Sequence, residues 1–232
     1  MIVKMEATLT EKNYWNTLYK VAGIAALIVV AFIPVQMAVF IVNPPPTSVD
    51  GWFDLFNTNA IVGLIDMDLL LIIDQVFIAL IIMALFQLMK SGSWSLLVIA
   101  LTLAVLGIAS YFASTVCFEM LNLSKQYAVA TIDTDKSALL VAGQVLIATW
   151  QGTAFIVGYI MEGIAFLIIG FVMLQSNIFN KITAWFGIIL GIMSLVPPTV
   201  PVIGMFFAIG SLIPLIVWLI LVSLKLLRFS GR

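Results

Sequence analysis

The sequence predicts an all-α integral membrane protein, a six-transmembrane-helix bundle with short amphipathic helices capping its outer face. Three observations carry this. Of 232 residues, 63% are hydrophobic and 9% charged, against roughly 45–50% and 25% in soluble domains. Apolar runs near the ~20 residues needed to cross a bilayer recur along the chain. The cations collect in alternate connecting segments. With the N-terminus inside, Lys4, Lys12, Lys20, Lys90, Lys181, Lys225, Arg228 and Arg232 are inner, and only Lys125 and Lys136 are outer. The positive-inside rule then puts both termini in the cytoplasm. Acids do the reverse: only Glu6 and Glu11 fall inside.

The elements follow in order. Residues 1–18 are polar, and no small-residue cleavage site follows the first apolar run, which reads as an uncleaved span over 19–42. Tyr14, Trp15 and Tyr19 belong at headgroup level, and Pro34 is a kink position. Asn43-Pro44-Pro45-Pro46 stops this helix, because proline lacks the amide donor and restricts its predecessor. In 48–58, Trp52, Phe53, Leu55 and Phe56 share one face while Asp50, Asp54 and Asn57 share the other, the spacing of a helix lying in the membrane surface. The second span lies within 64–89, and Ser91-Gly92-Ser93 forms the turn after it. The third, 94–115, is apolar apart from the small hydroxyls of Thr102, Ser110 and Ser114. Its Gly107, Ala109 and Ala113 permit close helix approach.

Residues 117–151 form the longest extramembrane stretch, yet it still reads as two helices. Leu139, Leu140, Leu146, Ile147 and Trp150 make an apolar stripe, with Asp133 or Asp135 as N-cap. The fourth span is 153–175, with Gly158, Gly163 and Gly170 as contact points. The fifth, 182–197, stops at Pro197-Pro198. The sixth, 203–227, contains Pro214. The whole of 1–232 is one membrane domain. An inverted three-plus-three repeat is not supported, because the aspartates of span two have no counterpart in span five.

Several functions are excluded. With a net charge of −1 and no basic stripe, nothing points to nucleic acid, and no nucleic-acid partner is expected. A single cysteine, Cys117, precludes an intrachain disulfide. The absence of histidine removes His-ligated haem, zinc-peptidase motifs and Ser-His or Cys-His nucleophiles. Asp66-Met67-Asp68 lacks the basic half of a prenyl-diphosphate site, and no Gly-x-Gly-Asp accompanies the span aspartates. The reading therefore leans away from an enzyme.

The candidate ligand- or cation-binding residues are Asp74, Glu162, Asp66, Asp68 and Glu119. A charge near the bilayer centre costs ~2.5–3.5 kcal/mol on insertion scales, so intramembrane acids are rare and functional by default. No Lys, Arg or His lies within a span to pair with Asp74 or Glu162. They are thus protonated, neutralised by a cation, or reached by water. On a straight helix Asp66 and Asp74 point within about 80° of each other, while Asp68 points away. A blander reading stands beside this one. Asp66 and Asp68 then cap the outer end of span two. Asp74 and Glu162 bond in neutral form to Tyr159, Thr153 or Gln75, Glu119 is a surface acid, and Trp52, Trp94, Trp150, Trp185 and Trp218 are interface anchors.

The stretches FNTNAIVGLIDMDLLLIID, FEMLNLSKQYAVATIDTDKSALL, ATWQGTAF and LVPPTVPVIG together resemble a family of prokaryotic multi-pass membrane proteins, of the domain of unknown function 4386 type. The resemblance implies a six-span plasma-membrane protein. It brings no established activity, so no catalytic residue is carried over.

The leading functional expectation is an outward-facing acidic intramembrane pocket. Asp74 and Glu162 would bind a proton, a cation or a cationic small molecule, with Asp66 and Asp68 at the entrance. The alternatives are a membrane enzyme using paired carboxyls on a lipid or hydrophobic substrate, and a structural or regulatory subunit. No cofactor is implied, and the identity of any metal is open. The partners this reading names are the lipid bilayer, a cation or a small hydrophobic or cationic ligand, and a second copy in a homo-oligomer.

Overall fold

A computed structural model describes residues 2–231, with side chains from Tyr14 onward. The side chains of Lys4, Glu6, Glu11, Lys12 and Arg232, which enter the charge asymmetry above, lie outside the described residues. The chain is 86% helix, without strand among the described residues. Four continuous stretches are long and apolar enough to cross a membrane: Tyr14–Val42, Leu69–Val129, Asp133–Gln175 and Ile203–Ser230.

The first helix, α1 (Ile2–Val42), runs through Pro34 and ends before the three prolines. Next come α2 (Val49–Thr58) and α3 (Ala60–Asp66), joined at Asn59. Ser48 caps α2 by accepting from the Gly51 N–H, and Asn59 caps α3 by accepting from the Val62 N–H. Each is an ordinary N-cap, satisfying an amide that has no partner inside its helix.

The next helix, α4 (Leu69–Ser114), has 46 residues and one non-helical position, Ser93. Straight, it would extend about 69 Å at 1.5 Å per residue. It does not, since Tyr111 near its end lies beside Asp68 at its start. The chain reverses at Ser93 into an antiparallel hairpin, with Trp94 packed back on Phe86 at 5.2 Å. This is the turn expected at Ser91-Gly92-Ser93.

The stretch 117–151 is indeed two helices, α5 (Cys117–Val129) and α6 (Asp133–Trp150). Then follow α7 (Thr153–Gln175), α8 (Lys181–Met193) and α9 (Ile203–Ser230). The 13 residues of α8 reach about 20 Å, short of the ~30 Å hydrocarbon thickness. The span expected over 182–197 is therefore a shorter helix followed by turns. Its end is tight: Val202 has φ 64° and the Ile203 N–H donates to the Pro201 carbonyl at 2.7 Å.

Two apolar cores result. The larger gathers Ala22, Ala26, Ile81, Leu85, Ile169, Trp218 and Leu219 from the long helices. First and last helices are tied by the Ser223 hydroxyl, which donates to the Gly23 carbonyl at 2.7 Å. The smaller core holds Val49, Trp52, Phe53, Phe56, Met67, Cys117 and Met120, and builds a cap from α2, α5 and α6. Asn57 stitches this cap by donating to the Ser124 carbonyl. Trp52 and Trp218 are fully buried core residues rather than interface anchors, whereas Trp94 and Trp185 are exposed.

The charges separate along the bundle. Lys90 lies over Trp15, and Phe229 packs on Tyr19, so the start of α1, the Ser93 turn and the end of α9 share one basic end. The cap and the described aspartates lie toward the other.

Candidate functional site

The site begins where a helix fails. Between α3 and α4 the chain breaks at Met67 and Asp68. The Met67 side chain is wholly buried in the cap core, and Asp68 adopts a left-handed conformation, φ 74° and ψ 16°. Aspartate is among the few non-glycine residues that visit this region readily. Met67 is plugged into the cap between Asp66 and Asp68, and both acids are buried.

Neither acid makes the expected helix cap. Asp66 is the last residue of α3, not the first of a span. Asp68 holds the N-cap position of α4 but makes no side-chain cap bond. Its carboxylate instead accepts from the Trp150 indole N–H. Trp150 is thus a ligand to an acid rather than a membrane anchor. It is steadied by edge-to-face packing on Trp52 at 5.7 Å. Both acids precede Leu69, where the long helix starts. Burial pushes Asp66 and Asp68 up to about 6, the Trp150 bond and the nearby Tyr111 hydroxyl acting on Asp68 in the opposite direction.

One layer deeper, α4 presents Asp74, buried, and Gln75, half-buried. Gln75 donates to the Glu162 carboxylate of α7 at 3.3 Å. Gln75 was one of the three partners the sequence offered for these acids. Asp74 leaves a carboxylate oxygen buried without a partner, as does the Gln75 amide oxygen. The carboxyls of Asp74 and Glu162 do not bond to one another.

Tyr111 faces these groups from the returning arm of α4. Its hydroxyl is buried beside Asp68 and has no hydrogen-bond partner. Tyr159 stands one turn before Glu162, next to Ser194 and Ser211. Three buried or half-buried acids, from the α3–α4 break, from α4 itself and from α7, thus lie in the region of the α4–α7 contact. No lysine or arginine among the described residues pairs with them.

What permits this gathering is a glycine contact. A Cβ on Gly158 would lie 2.8 Å from the Gly107 carbonyl, and one on Gly107 would lie 2.9 Å from Glu162 Cγ. The backbones of α4 and α7 meet where side chains are absent, which draws Glu162 against Tyr111.

The remaining candidates stand apart. Asp66 is fully buried with both carboxylate oxygens unpartnered. On the preceding residue, the Ile65 carbonyl accepts from the Gln36 side-chain amide of α1 at 3.0 Å. Glu119 is exposed on α5 and borders a shallow, mostly apolar cavity with Asn122, Leu146 and Val145. Among the described residues no three Cys, Asp or Glu side chains converge as metal ligands.

The Asp68–Trp150 bond allows a direct check. Asp68→Asn keeps a residue tolerant of the left-handed conformation and keeps an acceptor for the indole. Asp68→Ala loses both. The alanine variant is expected to melt lower by about 1–3 kcal/mol and the asparagine variant to stay close to wild type, as read by thermal unfolding in detergent. Equal melting of the two would show that the bond contributes nothing.

No family model matches the chain, and no curated protein or solved structure matches it.

Proposed function

We propose that this is a six-span plasma-membrane protein of a prokaryote, related to the domain-of-unknown-function family it resembles, that binds or moves a proton or small cation through an acidic cluster entered from the capped, outward side. The six spans would be α1, the two arms of α4, α7, α8 together with the turns that follow it, and α9, with both termini cytoplasmic.

One observation carries the functional part. Asp68 and Asp74 of the α4 segment are buried and Glu162 of α7 half-buried near Tyr111, and no lysine or arginine among the described residues pairs with them. Buried acids without a basic partner hold a proton or take up a cation. The absence of a three-ligand group among the described residues favours a proton, a monovalent cation or a cationic small molecule over a divalent metal centre. Phenol and carboxyl groups can pass a proton along by exchanging donor and acceptor roles, while the Gln75 amide, a fixed donor to Glu162, orients the carboxylate.

Proteoliposomes carrying an internal pH dye test this. Wild type is expected to show proton or cation movement under an imposed gradient. Asp74→Asn is expected to reduce it tenfold or more, with the melting temperature kept. The Gln75–Glu162 bond favours a second reading, in which the acids are neutral glue between helices of a structural subunit. Unchanged flux together with a lowered melting temperature in Asp74→Asn and Glu162→Gln would establish that reading and defeat the first.

A further inference from the structure

At the opposite, basic end of the bundle lies a cavity that the acidic cluster does not involve. It has a volume of about 370 Å³ and sits between the start of α8 and the last turns of α9. Its α9 wall is Leu221, Leu224, Lys225 and Arg228. These positions are spaced i, i+3, i+4 and i+7, a single helix face. Across from them stand Asn180 and Thr183 at the N-terminus of α8.

The cavity is graded along the bundle axis. Arg228 stands nearest the chain end, Lys225 and Leu224 lie about one turn deeper side by side, and Leu221 about one turn deeper again. The lining includes no acid. Lys225 Nζ rests 5.5 Å over the Phe229 ring, and neither cation forms an ion pair among the described residues. Facing them is the positive end of α8. Asn180 pins that end by accepting from the Thr183 N–H at 2.8 Å and from its hydroxyl at 2.6 Å. Leu224 is half-exposed, so the deep part opens sideways, toward where acyl chains would lie.

Two cations over a laterally open apolar wall match a molecule that is anionic at one end and hydrocarbon at the other. We propose that this cavity holds the phosphate of an anionic glycerophospholipid between Lys225, Arg228 and the start of α8, with one acyl chain lying along Leu221 and Leu224. Free phosphate shares the headgroup chemistry but has nothing to place against the leucines.

The test uses the full chain in detergent, with melting temperature and native mass spectrometry as readouts. Phosphatidylglycerol, phosphatidylcholine and inorganic phosphate are titrated separately. Wild type is expected to retain phosphatidylglycerol and to be stabilised by it well beyond phosphatidylcholine. Lys225→Gln/Arg228→Gln is expected to weaken retention about thirtyfold, roughly fivefold per cation lost. Leu224→Trp, which fills the deep part, is expected to weaken it while leaving both cations in place. Equal stabilisation of wild type by the two lipids would overturn the proposal without reference to any variant. Protection by inorganic phosphate as strong as by phosphatidylglycerol would remove the lipid from it. Undiminished retention in the double variant would show that the lysine and arginine merely reach for the interface.

Discussion

Replacing Gly158 with leucine is expected to cost at least about 4–5 kcal/mol, and in practice the folded protein. The reason is what the new atoms would meet. A Cβ alone would lie 2.8 Å from the Gly107 carbonyl and 3.1 Å from the Tyr111 amide. Both are backbone of a packed helix and have no rotamer by which to move aside. Tight contacts between small residues are how helices associate when no hydrophobic force distinguishes protein from lipid. Forcing α4 and α7 apart would also carry Tyr111 away from Glu162, so the acidic cluster would go with the packing. Gly92→Leu is the control, because a Cβ there meets nothing within 4 Å. The expected outcome is aggregation or a grossly lowered melting temperature for Gly158→Leu and near-wild-type behaviour for Gly92→Leu. A well-behaved Gly158→Leu protein would mean that the two helices do not meet at this point.

The same contact shows how far the sequence could be read. Gly107 and Gly158 were both legible as places of close approach, since small residues in apolar runs have few other uses. That they meet each other was not, because spacing within one helix says nothing about its register against another. The cap was legible for a similar reason: apolar and acidic positions in 48–58 and 117–151 alternate with a helical period whatever they pack on. Met67 was opaque. An apolar residue in an apolar run looks like one more turn of a span, and only the cap core, assembled from distant segments, draws it out and breaks the helix. With the break, the capping role expected for Asp66 and Asp68 disappears.

Trp150 and Tyr111 were missed because aromatic residues near the end of an apolar run usually mark the membrane interface. Each carries a polar atom that seeks a partner once buried, and the nearby unpaired acids were the available signal. Trp218 escaped for the opposite reason: it is buried against Phe166 at 5.4 Å, far from any interface role. The shortness of α8 was hidden by Leu195 and Val196, which extend the hydrophobic run past the point where the helix stops.

Asp66→Asn is expected to make the protein more stable above pH 7, an unusual result for altering a fully buried residue. Asp66 ends α3, where the helix dipole presents its negative pole. Both carboxylate oxygens are buried and unpartnered, and burial raises the group to about 6 from its ordinary 3.8. Below pH 4 the carboxyl is protonated in folded and unfolded chains alike and costs nothing. Between pH 4 and 6 the unfolded chain releases its proton first while the native one retains it. Stability therefore falls across this window and stays lowered above it. Asparagine has nearly the same shape and never ionises. The expected gain at pH 7.5 is of order 1–3 kcal/mol, vanishing near pH 4, as read from melting temperatures of both proteins across that range. The comparison also separates two states of the site. A variant less stable than wild type at pH 7.5, with the difference growing as pH rises, would mean that Asp66 is ionised and held by a bound cation. The break between α3 and α4 would then be a binding site rather than a neutral hinge.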